Sequence, residues 1–104
     1  MNTSLHIPAL FRSLQARLTA EQLVHARAIV VGESGLQVRV EGERCLTSIG
    51  VWPNGCCDVD FLYTESEKGE FKHFEFASIE EAIGPLVSEV QAAIDRSRTG
   101  QPGQ

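Results

Sequence analysis

The sequence lacks the features of a membrane-spanning or exported protein. None of its apolar runs approaches the roughly 20 residues that a bilayer-spanning helix requires. The segment 1–11 has neither the basic start nor the long apolar stretch of a secretion signal. The expected location is therefore the cytoplasm.

Cysteine is sparse, and its arrangement excludes two further classes of protein. The three residues are Cys45, Cys56 and Cys57, and an odd count with an adjacent pair favours reduced thiols over a disulfide framework. Cys56 and Cys57 with His73 supply too few ligands for zinc, and adjacent cysteines lack the C-x-x-C spacing that wraps it. The sequence predicts no metal site and no cofactor.

Basic residues and catalytic motifs are also lacking. Nine Lys and Arg stand against 14 Asp and Glu, which gives a formal net charge of −5. Nucleic acids and anionic membranes bind clustered Lys and Arg, so neither is expected as a partner. The chain contains no glycine-rich phosphate loop, no H-E-x-x-H and no G-x-S-x-G. We therefore expect a protein that is not an enzyme.

What is present indicates one small domain with helices at its ends. Apolar residues at helical spacing begin after Pro8, and Thr19 with Gln22 forms a capping box for a second short helix. Ser78 with Glu81 opens a C-terminal helix in the same way; Pro85 is tolerable near its first turn and would kink it farther in. A length of 104 residues allows a single core. We expect one domain over 1–98 and a disordered tail over 99–104.

The middle of the chain predicts a sheet. Apolar and polar residues alternate along 36–41, which is typical of a half-buried strand. Further strands are predicted at 45–52, 57–63 and 70–76, and their short connections imply antiparallel pairing. Residues 28–31 fit either a helix end or a strand. The predicted fold is α+β: a four-stranded antiparallel meander with the N-terminal helix, or two short helices, and the C-terminal helix on one face.

Acidic residues are concentrated in the second half of this sheet. Residues 55–81 contain eight Asp or Glu and two Lys, a local charge of −6. Such a patch can steer a basic protein partner, or it can simply be a solvated surface. Trp52 is either an anchor for that partner or a core residue. The predicted partner-binding residues are Trp52, Asp58, Asp60, Glu65, Glu67, Glu70 and Glu75.

Residues 36–90 resemble the TriTu-type bacterial immunity proteins and, more loosely, antidotes of contact-dependent inhibition systems. The shared features are a strand ending in Val51-Trp52, a glycine turn, and the strand Asp58-Val59-Asp60. A strand His73-Phe74-Glu75 then leads into the helix that Ser78 opens.

The resemblance implies an antidote that binds a cognate, basic toxin domain and blocks its active site or its access to substrate. Toxins linked to that family are ADP-ribosyltransferases, and the antidote would act as a monomer when bound. Two alternatives remain. One is a small acidic secretion chaperone or adaptor. The other is a carboxylate enzyme, which would require His73, Asp58 and Asp60 to converge in a pocket.

Overall fold

The chain was examined as a computed structural model, which describes residues 4–30 and 34–100. The elements, in chain order, are α1 Ile7–Arg17, α2 Ala20–His25, β1 Ala26–Val30, β2 Leu36–Glu41, β3 Cys45–Val51, β4 Cys56–Tyr63, β5 Gly69–Glu75 and α3 Ile79–Thr99. No helix in these ranges is both long and apolar enough to cross a bilayer.

The strands form one antiparallel sheet in the order β1-β2-β3-β4-β5. This confirms the α+β class, the antiparallel meander and the helices at both ends. The prediction of four strands is wrong, because 26–30 forms a fifth. Helix α2 passes into β1 without a loop: Ala26 is the C-cap, and its N–H donates to the carbonyl of Gln22. No Gly or Pro marks that junction in the sequence, so the pattern alone left it ambiguous.

Helices α1 and α3 cover one face of the sheet. Apolar side chains from both helices and from alternate positions of the strands form a single buried cluster. In β4 the inward side chains are Cys57, Val59, Phe61 and Tyr63, all of which are buried. The residues between them therefore point to the other face, which we call the open face.

The helix ends follow the sequence signals. Thr19 and Gln22 make a reciprocal capping box. The Ser78 hydroxyl accepts the N–H of Glu81 at 3.2 Å, while the Glu81 carboxylate accepts the N–H of Ala77 at 2.8 Å. Pro85 lies inside α3 and removes the donor that would bond the Glu81 carbonyl, yet the helix continues.

The C-terminal helix extends further than the sequence indicated. Thr99 is its last residue, and Gly100 caps it in the left-handed region with an N–H bond to the Arg96 carbonyl. Both residues belong to the predicted tail of 99–104, but they end and cap α3; 101–104 lie outside the described residues.

Candidate functional site

The open face carries an unusual number of large apolar side chains. Leu46 is 40% exposed, Leu62 46% and Phe71 60%. Leu46 pairs with Leu62 across β3 and β4, and Phe71 lies opposite Asp60 on β5. Exposed large apolar groups that share one surface are a mark of interaction sites.

Trp52 adds to this surface. It follows β3 directly and is 42% exposed, so it is not a core residue. Its indole lies beside Gly50, on the side where a Cβ of Gly50 would point. It borders a shallow depression of about 460 Å³ that Asp58 and Asp60 also line. The structure thus brings three of the predicted partner-binding residues together.

Asp58 and Asp60 differ in their surroundings. Asp58 accepts a hydrogen bond from His73, with 2.7 Å between Oδ1 and Nδ1. Asp60 is exposed and lies between Ser48 and Phe71 in the register. Among the described residues no ion pair is formed by Asp60. Its charge is therefore available to a partner.

Three further predicted residues lie at the margins of this face. Glu65 and Glu67 are exposed in the connection between β4 and β5, where Glu67 adopts a positive φ of 57°. Glu75 ends β5 opposite Cys56, and its side chain is 79% exposed. They extend the negative charge beyond the aspartates.

Glu70 lies on the opposite face of β5 from these residues. It pairs with Phe61 across the strands and therefore faces the helices. Its Oε1 lies 3.4 Å from Arg96 Nη2 and accepts a hydrogen bond from the Tyr63 hydroxyl at 3.2 Å. The sequence pattern does not show which face of β5 is buried, because Phe71 and Phe74 place an aromatic ring on each face.

Lys72 also faces the helices. Its Nζ lies 3.2 Å from the Glu89 carboxylate on α3. Lys72 is therefore turned away from the open face together with Glu70, and because the two charges are opposite, their removal leaves the net charge of that face unchanged.

The β1–β2 half of the open face carries two arginines beside one carboxylate, Glu41, a positive excess that the sequence pattern did not reveal. Arg27 on β1 and Arg39 on β2 are direct cross-strand partners, and both are exposed. They line a depression of about 450 Å³ together with Val24. Like charges placed opposite each other destabilise a sheet slightly, so an acidic group on a partner would relieve the repulsion.

A cluster of metal-ligating side chains lies at the edge of the open face. Ligand atoms of Cys56, His73 and Glu75 all lie within 4.8 Å of one another. The candidate set in the sequence is Cys56, Cys57 and His73, so in the structure Glu75 takes the place of Cys57. Only the register, which sets Cys56 opposite Glu75, reveals the actual set.

The other two thiols are buried in the core. Cys45 and Cys57 have no exposed surface. Burial raises the pKa of the Cys57 thiol to about 12, with a smaller contribution from the nearby carboxylates of Asp58 and Glu89. It also raises the pKa of Cys45. Both residues act as small apolar groups in the packing.

No family model, curated protein or solved structure matches this chain. The fold and the open face define it as a small α+β domain whose sheet is covered by helices on one side and carries exposed apolar and charged groups on the other.

Proposed function

We propose that this chain is a binding protein that engages another protein through its open face. The observation that carries the proposal is the exposure of Trp52, Leu46, Leu62 and Phe71 on one face, with Asp60 between them. Rigid aromatic side chains supply large contact areas at low entropic cost. A sheet holds them in fixed positions, so little ordering is needed on binding.

The partner that fits is a protein surface with a basic region beside an apolar one. Asp60, Glu65 and Glu67 are exposed toward the β4–β5 end of the face, and Arg27 and Arg39, with Glu41 beside them, are exposed toward the β1–β2 end. Such a two-signed surface accelerates encounter and fixes the orientation of the partner. The acidic end meets basic groups of the partner, and the arginine end meets an acidic one.

The role we propose is that of an antidote to an antibacterial toxin. The residues that carry the resemblance to immunity proteins support this, because Trp52, Asp58, Asp60, His73 and Glu75 all lie on the open face. The antidote would occupy the active site of a basic toxin domain, or its approach to substrate, in the cytoplasm of the producing cell. An ADP-ribosyltransferase is the proposed class of toxin.

The test is co-expression with the product of the adjacent upstream gene. We expect growth rescue and co-purification with the wild-type chain. The double variant Asp60→Lys/Glu65→Lys should lose both, because it reverses two exposed charges on the proposed contact surface. Glu80→Lys/Asp95→Lys is the matched control, since it makes the same charge change at two exposed positions of α3, away from the open face.

Two results would contradict the proposal. Full rescue by the double variant would show that Asp60 and Glu65 are not part of the contact surface. Absence of any rescue or complex with the wild-type chain would show that the chain is not an antidote to that product. Promotion of the partner's secretion, without growth rescue, would instead support the secretion chaperone, which would hold an extended effector segment on the same face.

A further inference from the structure

Four side chains at the β4–β5 edge are arranged in a way that protein binding does not require. Cys56 and Glu75 are cross-strand partners, and Asp58 and His73 form the next pair of the same register on that face. Nε2 of His73 lies 4.0 Å from a carboxylate oxygen of Glu75. With the Cys56 thiol, these groups place one sulfur, one nitrogen and one oxygen within 4.8 Å of one another.

Asp58 orients the histidine. An ionised carboxylate only accepts hydrogen bonds, so the 2.7 Å contact requires the hydrogen on Nδ1 of His73. In the neutral ring this leaves the lone pair on Nε2, on the side of Glu75. Histidines that bind metals almost always donate their other ring N–H to a carboxylate, a carbonyl or water, which fixes the tautomer and the ring plane.

We infer that Cys56 Sγ, His73 Nε2 and the Glu75 carboxylate bind one zinc-class divalent metal ion, with solvent as the fourth ligand. Thiolate and imidazole select this class over magnesium or calcium, which prefer all-oxygen sites. Binding replaces the thiol proton of Cys56, which passes to solvent. The inference goes beyond the proposed function and does not depend on it.

The three ligand atoms need to approach one another by about 1 Å or less to bind a zinc ion. Zinc bonds of about 2.0–2.3 Å in a tetrahedron place neighbouring ligand atoms about 3.3–3.7 Å apart. The distances to Cys56 Sγ, which lie within 4.8 Å, must therefore shorten by up to about 1 Å, and the Nε2-to-carboxylate distance of 4.0 Å by about 0.3–0.7 Å. Glu75 can supply the second of these shifts by side-chain rotation, because its side chain is 79% exposed.

The same residues also present a cysteine, a histidine and an aspartate in the order used by cysteine hydrolases. Such an enzyme needs a concave substrate site. The two depressions described above, beside Trp52 and beside Arg39, include neither Cys56 nor His73. Glu75 beside Nε2 has no role in that chemistry, whereas it completes a metal site.

The test is titration of the reduced, isolated full-length chain with Co²⁺, followed by absorbance. We expect saturation at one equivalent, a sulfur-to-cobalt charge-transfer band, and displacement of the cobalt by one equivalent of Zn²⁺. Cys56→Ser should remove the band, and His73→Ala and Glu75→Gln should each weaken binding. All three side chains are at least partly exposed, so the fold should tolerate these changes.

Asp58→Asn tests the positioning role. It should lower the metal affinity about 10–100-fold while leaving the melting temperature of the metal-free chain unchanged. Asp60→Asn removes the same charge from the next outward position of β4 and should leave the affinity unchanged. Retention of the charge-transfer band in Cys56→Ser, or failure of the wild-type chain to saturate, would overturn the assignment. Because no partner is needed, this outcome is independent of the antidote test.

Discussion

The indole of Trp52 lies against Gly50, where a Cβ would come within 3.0 Å of the ring carbon Cη2. Because Gly50 has no side chain, the indole ring can lie on the surface of the sheet at this position. Trp52 is the single tryptophan of the chain, so its fluorescence reports on this part of the open face alone.

Replacing Gly50 with alanine should displace the indole without unfolding the chain. The ring is the end of a mobile side chain, so it can shift by the few tenths of an ångström that the methyl group demands. We expect greater quenching of Trp52 by acrylamide and weaker partner binding, with little change in melting temperature. Gly69→Ala is the control, because its Cβ would make only an ordinary 3.5 Å contact. Unchanged quenching in Gly50→Ala would contradict the proposed contact between Gly50 and the indole of Trp52.

Gly55 is required for a different reason. Its φ is +92°, and a Cβ would collide with the carbonyl oxygen of Phe76, whose N–H donates to the Gly55 carbonyl at 2.8 Å. Gly55→Ala should therefore lower the free energy of unfolding by about 1–3 kcal/mol. Urea denaturation measures this, and a loss no larger than that of Gly69→Ala would show that the turn relaxes freely.

Arg96 stabilises the domain from beneath the sheet. Its guanidinium lies 4.0 Å from the centre of the Phe61 ring and pairs with Glu70, while its side chain is only 7% exposed. Nε and Nη1 are buried without hydrogen-bond partners within the described residues, which is a cost that the stacking on the Phe61 ring and the ion pair with Glu70 must offset. Arg96→Ala should cost about 2–4 kcal/mol of unfolding free energy, because it removes packing on Phe61 and leaves the Glu70 carboxylate with the Tyr63 hydroxyl alone as a partner.

The matched control for Arg96 is Arg98→Ala. Arg98 pairs with Glu21 at 3.1 Å, but both side chains are more than half exposed. Breaking this pair should cost under about 1 kcal/mol. Equal losses of stability in the two variants, measured by urea denaturation, would refute the structural role of Arg96.

The three thiols should react at very different rates. Cys56 is only partly buried, whereas Cys45 and Cys57 are fully buried. In the folded, metal-free chain we expect iodoacetamide to modify one thiol rapidly, and all three only after denaturation. Mass spectrometry of tryptic peptides identifies the modified residue. Rapid native-state labelling of Cys45 or Cys57 would show that the core opens more readily than its packing indicates.

Most of the fold was accessible from local patterns. Alternation located the last four strands, and the pairs Thr19–Gln22 and Ser78–Glu81 located two helix starts, because these signals depend on neighbours in sequence. Strand β1 could not be assigned from the sequence, because the chain changes from helix to strand at Ala26 without a turn residue.

The site was less accessible, because its composition depends on register. Asp58 and Asp60 could be placed on one face from their spacing within β4. The assignment of Glu70 to that face, and the pairing of Cys56 with Glu75, depend on how β5 aligns with β4. A shift of one residue in that alignment would exchange the two faces of β5, and no local pattern fixes it.

Hydroxyl-radical footprinting of the chain with the partner recovered by co-purification tests the central claim most directly. The account predicts protection of Trp52, Leu46, Leu62 and Phe71 in the complex, because these side chains would leave solvent. The outer surfaces of α1 and α3 should remain as reactive as in the free chain. Protection confined to the helices, with unchanged reactivity at Trp52 and Phe71, would contradict the assignment of the open face as the binding surface.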